Sequence, residues 1–251
     1  NIQNSFVLDG IQRLNTLSRL QESEELNHDK KLHLNFIFCD SVEKLLYRII
    51  TLNNGQRPMT PRHQVEIMMA NAFDFDALGL NVVSEKEATM KEARRSFRKS
   101  DIVQAYLAFM AENPIIDNKK IIEEKMDELL VSQIMSIEPS NYQSQFKDFL
   151  SVLEKFQYDP ENFKWFKVTN NLVGFAAGIK SSVHSVMSLS PEEFRERIKV
   201  FEDAFSEFNP SRIKVGKLRR SLSCEFFRKF DEYKDMDADE LLMVFSEFTD
   251  E

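Results

Sequence analysis

Five apolar side chains near the C-terminus recur at helical spacing, and this pattern constrains the fold more than any other feature. They are Phe194, Ile198, Phe201, Phe205 and Phe208. Successive intervals of four, three, four and three residues place them on one face of an α-helix, so the pattern predicts a helix buried along one side. The segment Ser190-Pro191-Glu192-Glu193 stands directly before it. A serine N-cap, a proline at the first position and a glutamate at the third are typical of a helix start.

Similar patterns cover most of the chain after residue 84, and they predict an all-helical domain over residues 85–251. The predicted helices lie at 85–99, 102–113, 117–134, 146–156, 163–179, 214–233 and 239–248. Only 6 Gly and 7 Pro occur in 251 residues, so few residues would interrupt these helices. The 22 Phe fall largely at helical spacing, which favours a role in the core over a base-stacking surface.

Three local features refine this prediction. Ser100 is expected to cap the helix that follows it. Gly174 and Gly178 fall inside the helix predicted at 163–179, where they either loosen the helix or let a neighbouring element approach closely. Trp165 stands between Lys164 and Phe166 near a polar stretch, and it is expected to be partly exposed.

Close to the N-terminus, a short apolar run at residues 6–8 ends in Asp9-Gly10, and a helical pattern begins at once. The run is typical of a buried strand. Gly10 permits a sharp turn, and the first turn of the following helix has unpaired N–H groups that favour an anion. Arg13 adds a guanidinium that suits phosphate or carboxylate. Asp9 either holds a metal, accepts a proton or forms a salt bridge with Arg13, and the salt bridge would make the segment a purely structural junction.

A second polar loop leads into another predicted helix. Residues 34–38 are typical of a strand, a short helix is expected at 41–50, and a short extended piece is expected near 80–83. The loop Asn53-Asn54-Gly55 provides a turn, and Thr60-Pro61 provides an N-cap followed by proline at the first helical position. Arg62 then lies in the first turn of this second helix. The two loops are expected to face the same pocket.

Together the two loops resemble known motifs. The segments Asp9-Gly10-Ile11-Gln12-Arg13 and Asn53-Asn54-Gly55, with the strand and short helix between them, are similar to the DGQQR or DGQHR branch of the ParB/sulfiredoxin-like superfamily. That branch includes GmrSD-type restriction proteins and DndB-type regulators of DNA phosphorothioation. The resemblance covers roughly residues 3–70. Ile11 stands where the family has a glutamine.

The resemblance implies an α+β fold. Residues 1–84 would form part of a small ParB/sulfiredoxin-like sheet domain, whose family members have further strands upstream of the first motif. Residues 85–251 would form the all-helical domain that follows it.

The resemblance also implies a function: a component of a bacterial or phage DNA modification or restriction system whose pocket binds, and in one alternative hydrolyses, a nucleoside triphosphate with Mg²⁺. Asp9 and Arg13 would be the catalytic pair. The ligand-binding residues would be Gly10, Gln12, Arg13, Asn53, Asn54, Gly55 and Arg62. A second hypothesis is a non-catalytic DNA-backbone reader or regulator of the DndB-like type, and a third is a structural subunit of a defence complex. DNA or a DNA-processing protein is the expected partner, and a homo-oligomer is compatible with each hypothesis.

Composition and the absence of certain motifs narrow the classes of function that the sequence allows. The net charge of −8 argues against unspecific duplex binding by the whole chain, although two basic clusters stand out at residues 91–99 and 214–220. Each cluster is more typical of a solvated helix face than of a nucleic-acid site. The sequence has no nuclease motif, no phosphate-binding loop of the Walker type and no His pair at metal-ligand spacing. Cys39 and Cys224 are too few for a disulfide framework, which favours the cytoplasm, and no membrane span is predicted.

Overall fold

The structure is a computed structural model that describes residues 11–20, 31, 33–36, 38, 73–83, 96–116, 141–208 and 215–250. The chain divides into two compact units, an N-terminal unit, Asn1–Met59, and a C-terminal unit, Thr60–Glu251.

The N-terminal unit contains helix α1, Ile11–Leu20. The helix begins directly after Gly10, as the sequence predicts. The strand predicted at 34–38 is not found at the described positions of that segment. Residues 34–36 and 38 have no regular structure, and their large apolar side chains are exposed, Leu34 at 66%, Phe36 at 75% and Phe38 at 93%.

At its described positions, the C-terminal unit is built almost entirely of helices. Its elements are β1 (Val82–Val83), β2 (Phe97–Arg98), α2 (Lys99–Ala111), α3 (Asn141–Phe156), α4 (Pro160–Phe166), α5 (Thr169–Gly178), a 3₁₀ turn (Ile179–Ser181), α6 (Val183–Ser188), α7 (Pro191–Ser206), α8 (Val215–Arg228), α9 (Phe230–Tyr233) and α10 (Ala238–Asp250).

The α+β prediction, with a sheet domain before a helical domain, is therefore wrong for the described residues. Of these, 72% are helical. The sheet found among them has two strands of two residues each, β1 and β2, which pair in parallel with Val82 opposite Phe97. Strand β1 confirms the short extended piece expected near 80–83. Strand β2 contradicts the end of the helix predicted over 85–99, because pairing with β1 holds Phe97 and Arg98 extended until α2 begins at Lys99. The rest of that prediction, residues 85–95, lies outside the described residues.

The helical periodicity after residue 140 is largely confirmed. Of the stripe on α7, Phe194, Ile198, Phe201 and Phe205 are all buried. The capping box is present as well, since Ser190 Oγ accepts a hydrogen bond from the Glu193 N–H and the Glu193 carboxylate accepts one from the Ser190 N–H. On α3 the predicted inward residues are fully buried. They are Phe146, Phe149, Leu150, Leu153 and Phe156.

Three predictions about helix boundaries are wrong. The helix predicted at 214–233 is divided at Lys229 into α8 and α9. The helix predicted at 163–179 is broken between α4 and α5 at Lys167 and Val168. A side chain from α5 stabilises the break, because Asn171 Nδ2 donates to the Trp165 carbonyl oxygen at 3.1 Å and so satisfies a carbonyl at the end of α4. Ser100 is not an N-cap, because α2 begins at Lys99 and Arg98 occupies the N-cap position.

Helix α5 is the centre of the C-terminal unit. Every residue from Asn171 to Gly178 is buried, and α5 packs along both α2 and α8. Close to its start, Thr169 contacts Asp101 of α2, and just beyond its end, Lys180 contacts Glu112 at the end of α2. Helices α2 and α5 therefore run parallel.

Helix α8 runs parallel to α5 as well. Asn170, at the start of α5, contacts Arg220, whereas Ser182, after the end of α5, donates to the Phe227 carbonyl oxygen. Three parallel helices thus begin at the same end of the unit. Parallel neighbours bring like helix-dipole ends together, and an opposite charge near such an end reduces the repulsion. Asp101 lies in the first turn of α2, and Lys180 and Arg228 lie at the opposite end.

Candidate functional site

The sequence places its candidate site around Asp9 and Arg13, and the structure describes part of it. Arg13 lies in the first turn of α1 and is exposed, and the backbone of Gln12 belongs to the same turn. The remaining predicted site residues lie outside the described residues. They are Asp9, Gly10, Asn53, Asn54, Gly55 and Arg62. The pocket shared by the two loops stays a prediction.

The C-terminal unit brings together parts of the two basic clusters seen in the sequence. Because α2, α5 and α8 are parallel, Arg98 and Lys99 at the start of α2 lie at the same end as Lys217 and Arg220 in the first half of α8. Lys167, just before α5, completes the set. We call Arg98, Lys99, Lys167, Lys217 and Arg220 the basic end.

Lys167 is held between α5 and strand β2. Its Nζ atom donates to the Ser96 carbonyl oxygen at 2.6 Å and lies 5.7 Å from the centre of the Phe163 ring. Burial lowers the pKa of Lys167, and the nearby charge of Arg98 lowers it further. Arg98 follows Ser96 by two positions, so the Lys167–Ser96 hydrogen bond places the two cations near each other. Lys167 thus joins the start of α2 to the start of α5.

Asp101 is the one described carboxylate that links these helix starts. It is 8% exposed, and its Oδ1 atom accepts a hydrogen bond of 3.1 Å from Thr169 Oγ1. Its negative charge lies near the N-terminal ends of both α2 and α5, where the helix dipoles favour an anion. Asp101 also opposes the effect of Arg98 by raising the pKa of Lys167. The carboxylate therefore offsets part of the positive charge at the basic end.

Asn170 connects α5 with α8. Its Oδ1 atom accepts a hydrogen bond of 2.6 Å from Arg220 Nε, and its amide group lies over Gly216. Gly216 has no Cβ, and an added Cβ would lie 3.0 Å from Asn170 Nδ2. This contact fixes the start of α8 beside the start of α5, and it brings the neighbouring Lys217 to the same end.

A second polar cluster lies next to the basic end and is satisfied within the protein. Arg219 binds both carboxylate oxygens of Glu202 and donates to Asn171 Oδ1 at 3.0 Å. The guanidinium also lies 4.2 Å from the centre of the Phe205 ring. Trp165 Nε1 donates to Glu202 Oε1 at 2.8 Å. This cluster joins α4, α5, α7 and α8, and its charges balance, so it is structural.

The prediction for Trp165 is wrong. The sequence predicts a partly exposed side chain, but Trp165 is only 5% exposed and packs edge-on against Phe175 and Phe201. The polar neighbours in sequence gave the wrong prediction because the partner of the indole N–H, Glu202, comes from a distant helix. A buried Trp needs such a partner.

The sequence singled out the two basic clusters but missed Lys167, Thr169 and Asn170. No local pattern marks these residues, because their role comes from the side-by-side starts of α2, α5 and α8. In the described part of the chain, no three His, Cys, Asp or Glu side chains are grouped closely enough to hold a metal ion.

Comparison of the chain with protein-family models, with curated proteins and with solved structures gives no match. None of the helices at the described positions is both long and apolar enough to cross a membrane.

Proposed function

We propose that the protein is a cytoplasmic component of a bacterial or phage DNA modification or restriction system, in which the Asp9–Arg13 segment binds a nucleoside triphosphate with Mg²⁺. The observation that carries the proposal is that α1 begins at Ile11, directly after the Asp9-Gly10 pair, with Arg13 exposed in its first turn. The order of a carboxylate, a glycine and a cation at a helix start is the order that the resemblance to DGQQR-type proteins requires.

The chemistry of this segment supports phosphate as the group it binds. The first-turn N–H groups of a helix have no intrahelical partner, and the positive end of the helix dipole favours an anion. The Arg13 guanidinium can bind two phosphate oxygens at once. Asp9 would position the metal ion or a water molecule near the phosphate. Asn53, Asn54, Gly55 and Arg62 would complete the site from the second loop.

The proposal does not depend on the sheet domain, which the described residues contradict. It depends on the motif residues and on the start of α1. The alternative is a non-catalytic DNA-binding or regulatory protein of the DndB-like type, or a structural subunit of a defence complex. In these alternatives Asp9 and Arg13 form a salt bridge and no nucleotide is turned over.

The test measures binding and hydrolysis of the four nucleoside triphosphates by the full chain, with and without Mg²⁺ and duplex DNA. We expect Arg13→Lys to weaken binding and Arg13→Ala to weaken it further, because lysine keeps the charge but not the planar fork. We expect Asp9→Asn to leave binding within about tenfold but to lower turnover by ~100-fold or more, the scale for losing one positioned catalytic group.

Arg19 provides the matched control, because it is an exposed arginine in the last turn of the same helix. Arg19→Ala should leave binding and turnover unchanged. Turnover that survives both the Asp9 and the Arg13 substitutions would contradict the catalytic role of this segment. If the unsubstituted chain neither binds nor hydrolyses any nucleotide, the proposal fails and the non-catalytic alternatives remain.

A further inference from the structure

We propose that the basic end, Arg98, Lys99, Lys167, Lys217 and Arg220, is a docking surface for the phosphate backbone of duplex DNA. This surface belongs to the C-terminal unit and does not use the Asp9–Arg13 segment. The inference therefore goes beyond nucleotide binding, and it holds whether or not that binding occurs.

Positive charge is concentrated at the basic end of an otherwise acidic chain. The basic end has five cationic side chains, and the described carboxylate that lies among them is Asp101. The adjacent Arg219 is neutralised by Glu202. By contrast, α7 has five acidic and three basic side chains, and α10 has four acidic and no basic side chains. In a chain of net charge −8, such a local positive surface attracts and orients a polyanion.

The positive charge of the basic end is spread over three helices. The cations come from the starts of three parallel helices, and packed helices lie about 8–10 Å apart. The basic end can therefore extend over as much as about 20 Å from α2 across α5 to α8. A duplex presents one phosphate per strand for roughly every 3.4 Å of its axis, so this distance covers about six phosphates of one strand. A surface of this extent fits a linear array of phosphates better than a single small anion.

The charges of the basic end have two different roles. Lys167 and Arg220 are half-buried and are bound to the Ser96 carbonyl oxygen and to Asn170, so they contribute a fixed positive field. Arg98 and Lys217 have exposed side chains at the edges of the surface. Helices α2 and α5 also begin without a side-chain N-cap. Arg98 and Lys217 are therefore the residues expected to contact phosphate directly.

An anionic membrane surface would also attract these cations, but the apolar residues at this end argue against it. The large exposed apolar side chains beside the basic end are Val168 and Val215, at 41% and 37% exposure. Membrane-surface helices insert larger groups such as Trp, Phe and Leu. Two valines suit contact with the grooves and sugars of DNA better than insertion into lipid.

The experiment measures binding of the full chain to a fluorescent 20-base-pair duplex by anisotropy over a series of salt concentrations. The unsubstituted chain should bind with a Kd on the order of 1–100 μM at moderate salt, the range of unspecific binding, with affinity falling steeply as salt rises. The double substitution Arg98→Glu with Lys217→Glu should weaken binding by about tenfold or more. It should also lower the slope of log K against log salt by about 2, roughly one for each phosphate that is no longer neutralised.

The matched control is Lys147→Glu with Lys199→Glu, two exposed lysines on α3 and α7. Both double variants change the net charge from −8 to −12, since each of the two substitutions changes it by −2. The control should lower affinity by less than about threefold, because long-range charge is screened over about 10 Å. Thermal unfolding of both variants shows whether they remain folded. The double substitution Arg98→Ala with Lys217→Ala is a milder change, because it removes the two positive charges without adding negative ones.

Three results would overturn the proposal. The first is no binding of duplex by the unsubstituted chain at 50 mM salt, about the low end of salt concentrations used for such measurements. The second is an equal loss of affinity in both double variants. The third is binding to vesicles of anionic lipid, or to inorganic pyrophosphate, that depends on Arg98 and Lys217 while duplex binding does not. A specific loss of duplex binding, with nucleotide binding intact, would support the surface independently of the Asp9–Arg13 segment.

Discussion

The carbonyl oxygen of Cys224, on α8, lies so close to Gly178, on α5, that a Cβ atom on Gly178 would clash with it. Four residues earlier, Gly174 meets the Arg220 carbonyl oxygen in the same way. These two glycines let the backbones of α5 and α8 touch. The sequence left open whether they loosen a helix or permit a close approach, and the structure shows the close approach.

Gly178→Ala should destabilise the protein by about 1–3 kcal/mol or more, because the added methyl group overpacks a contact between two backbones. Chemical denaturation measures the change. Gly216→Ala is the control, since the atoms nearest to a Cβ there belong to the side-chain amide of Asn170 and not to a backbone. Alanine is also the better helix former, so this variant should stay within about 1 kcal/mol of the unsubstituted chain. Equal effects of the two substitutions would show that α5 and α8 pack less closely than their glycines indicate.

The ion pair between Arg219 and Glu202 should contribute measurably to stability. The pair is bidentate, partly buried and supported by Asn171 and Trp165. A double-mutant cycle with Arg219→Met and Glu202→Gln should give a coupling energy of about 1–2 kcal/mol.

The control for this cycle is the exposed pair of Lys164 and Glu161 on α4, whose charged atoms are 3.6 Å apart. Its coupling energy should be below about 0.5 kcal/mol, since exposed pairs are screened by solvent. If the two cycles gave the same value, the cluster around Arg219 would have no special role in holding α7 against α8.

Phe201 should be one of the most sensitive core positions. Its side chain is fully buried and contacts the rings of Trp165, Phe226 and Phe245. Phe201→Ala should lower the free energy of unfolding by roughly 3–5 kcal/mol, the range for deletion of a buried aromatic ring. Phe248→Ala, at a position that is 39% exposed, should cost less than about 1 kcal/mol. A change in ligand binding with unchanged stability would contradict the assignment of Phe201 to the core.

The capping box at the start of α7 should make stability depend on pH. Hydrogen bonds from the Ser190 backbone and hydroxyl lower the pKa of Glu193 from its usual 4.5. A carboxyl whose pKa is lower in the folded state stabilises the fold above its unfolded pKa, and this contribution is lost as pH falls through the folded pKa. The unsubstituted chain should therefore be more stable than Glu193→Gln near pH 7, about the middle of the usual stability range. This difference in the free energy of unfolding should decrease as the pH is lowered.

Ser190→Ala removes the N-cap itself and should cost about 0.5–2 kcal/mol at neutral pH. Glu192→Gln is the control for the acid effect, because Glu192 lies in the same first turn but takes no part in the capping box. If the stability of Glu192→Gln depended on pH in the same way as that of Glu193→Gln, the effect would come from the helix dipole and not from the capping box.

Cys224 should be unreactive in the folded protein. It is 2% exposed, and burial raises the pKa of its thiol to about 11. At pH 8, roughly one thiol in a thousand would be ionised, and the thiolate is the reactive form. In a Cys39→Ser background, a thiol reagent should therefore label Cys224 only at the rate of unfolding, and mild denaturant should accelerate labelling. Rapid labelling under native conditions would show that α8 opens locally.

The sequence by itself determined where several helices form. The stripe on α7 and its capping box, the buried face of α3 and the start of α1 after Gly10 all follow from residues within one or two helical turns of each other. Helical periodicity and capping are local properties, so a single sequence is enough to predict them.

Tertiary structure decided the rest. The end of α4 is stabilised by Asn171, whose side chain donates to the Trp165 carbonyl oxygen, and Trp165 is buried with its indole N–H bonded to Glu202, 37 positions away. Strand β2 forms because β1 pairs with it. The basic end exists because α2, α5 and α8 run parallel, which brings Arg98 and Arg220 to one end although they are 122 positions apart in the sequence. Each of these features depends on contacts between distant residues, and local patterns carry no information about which distant partner a buried polar group will find.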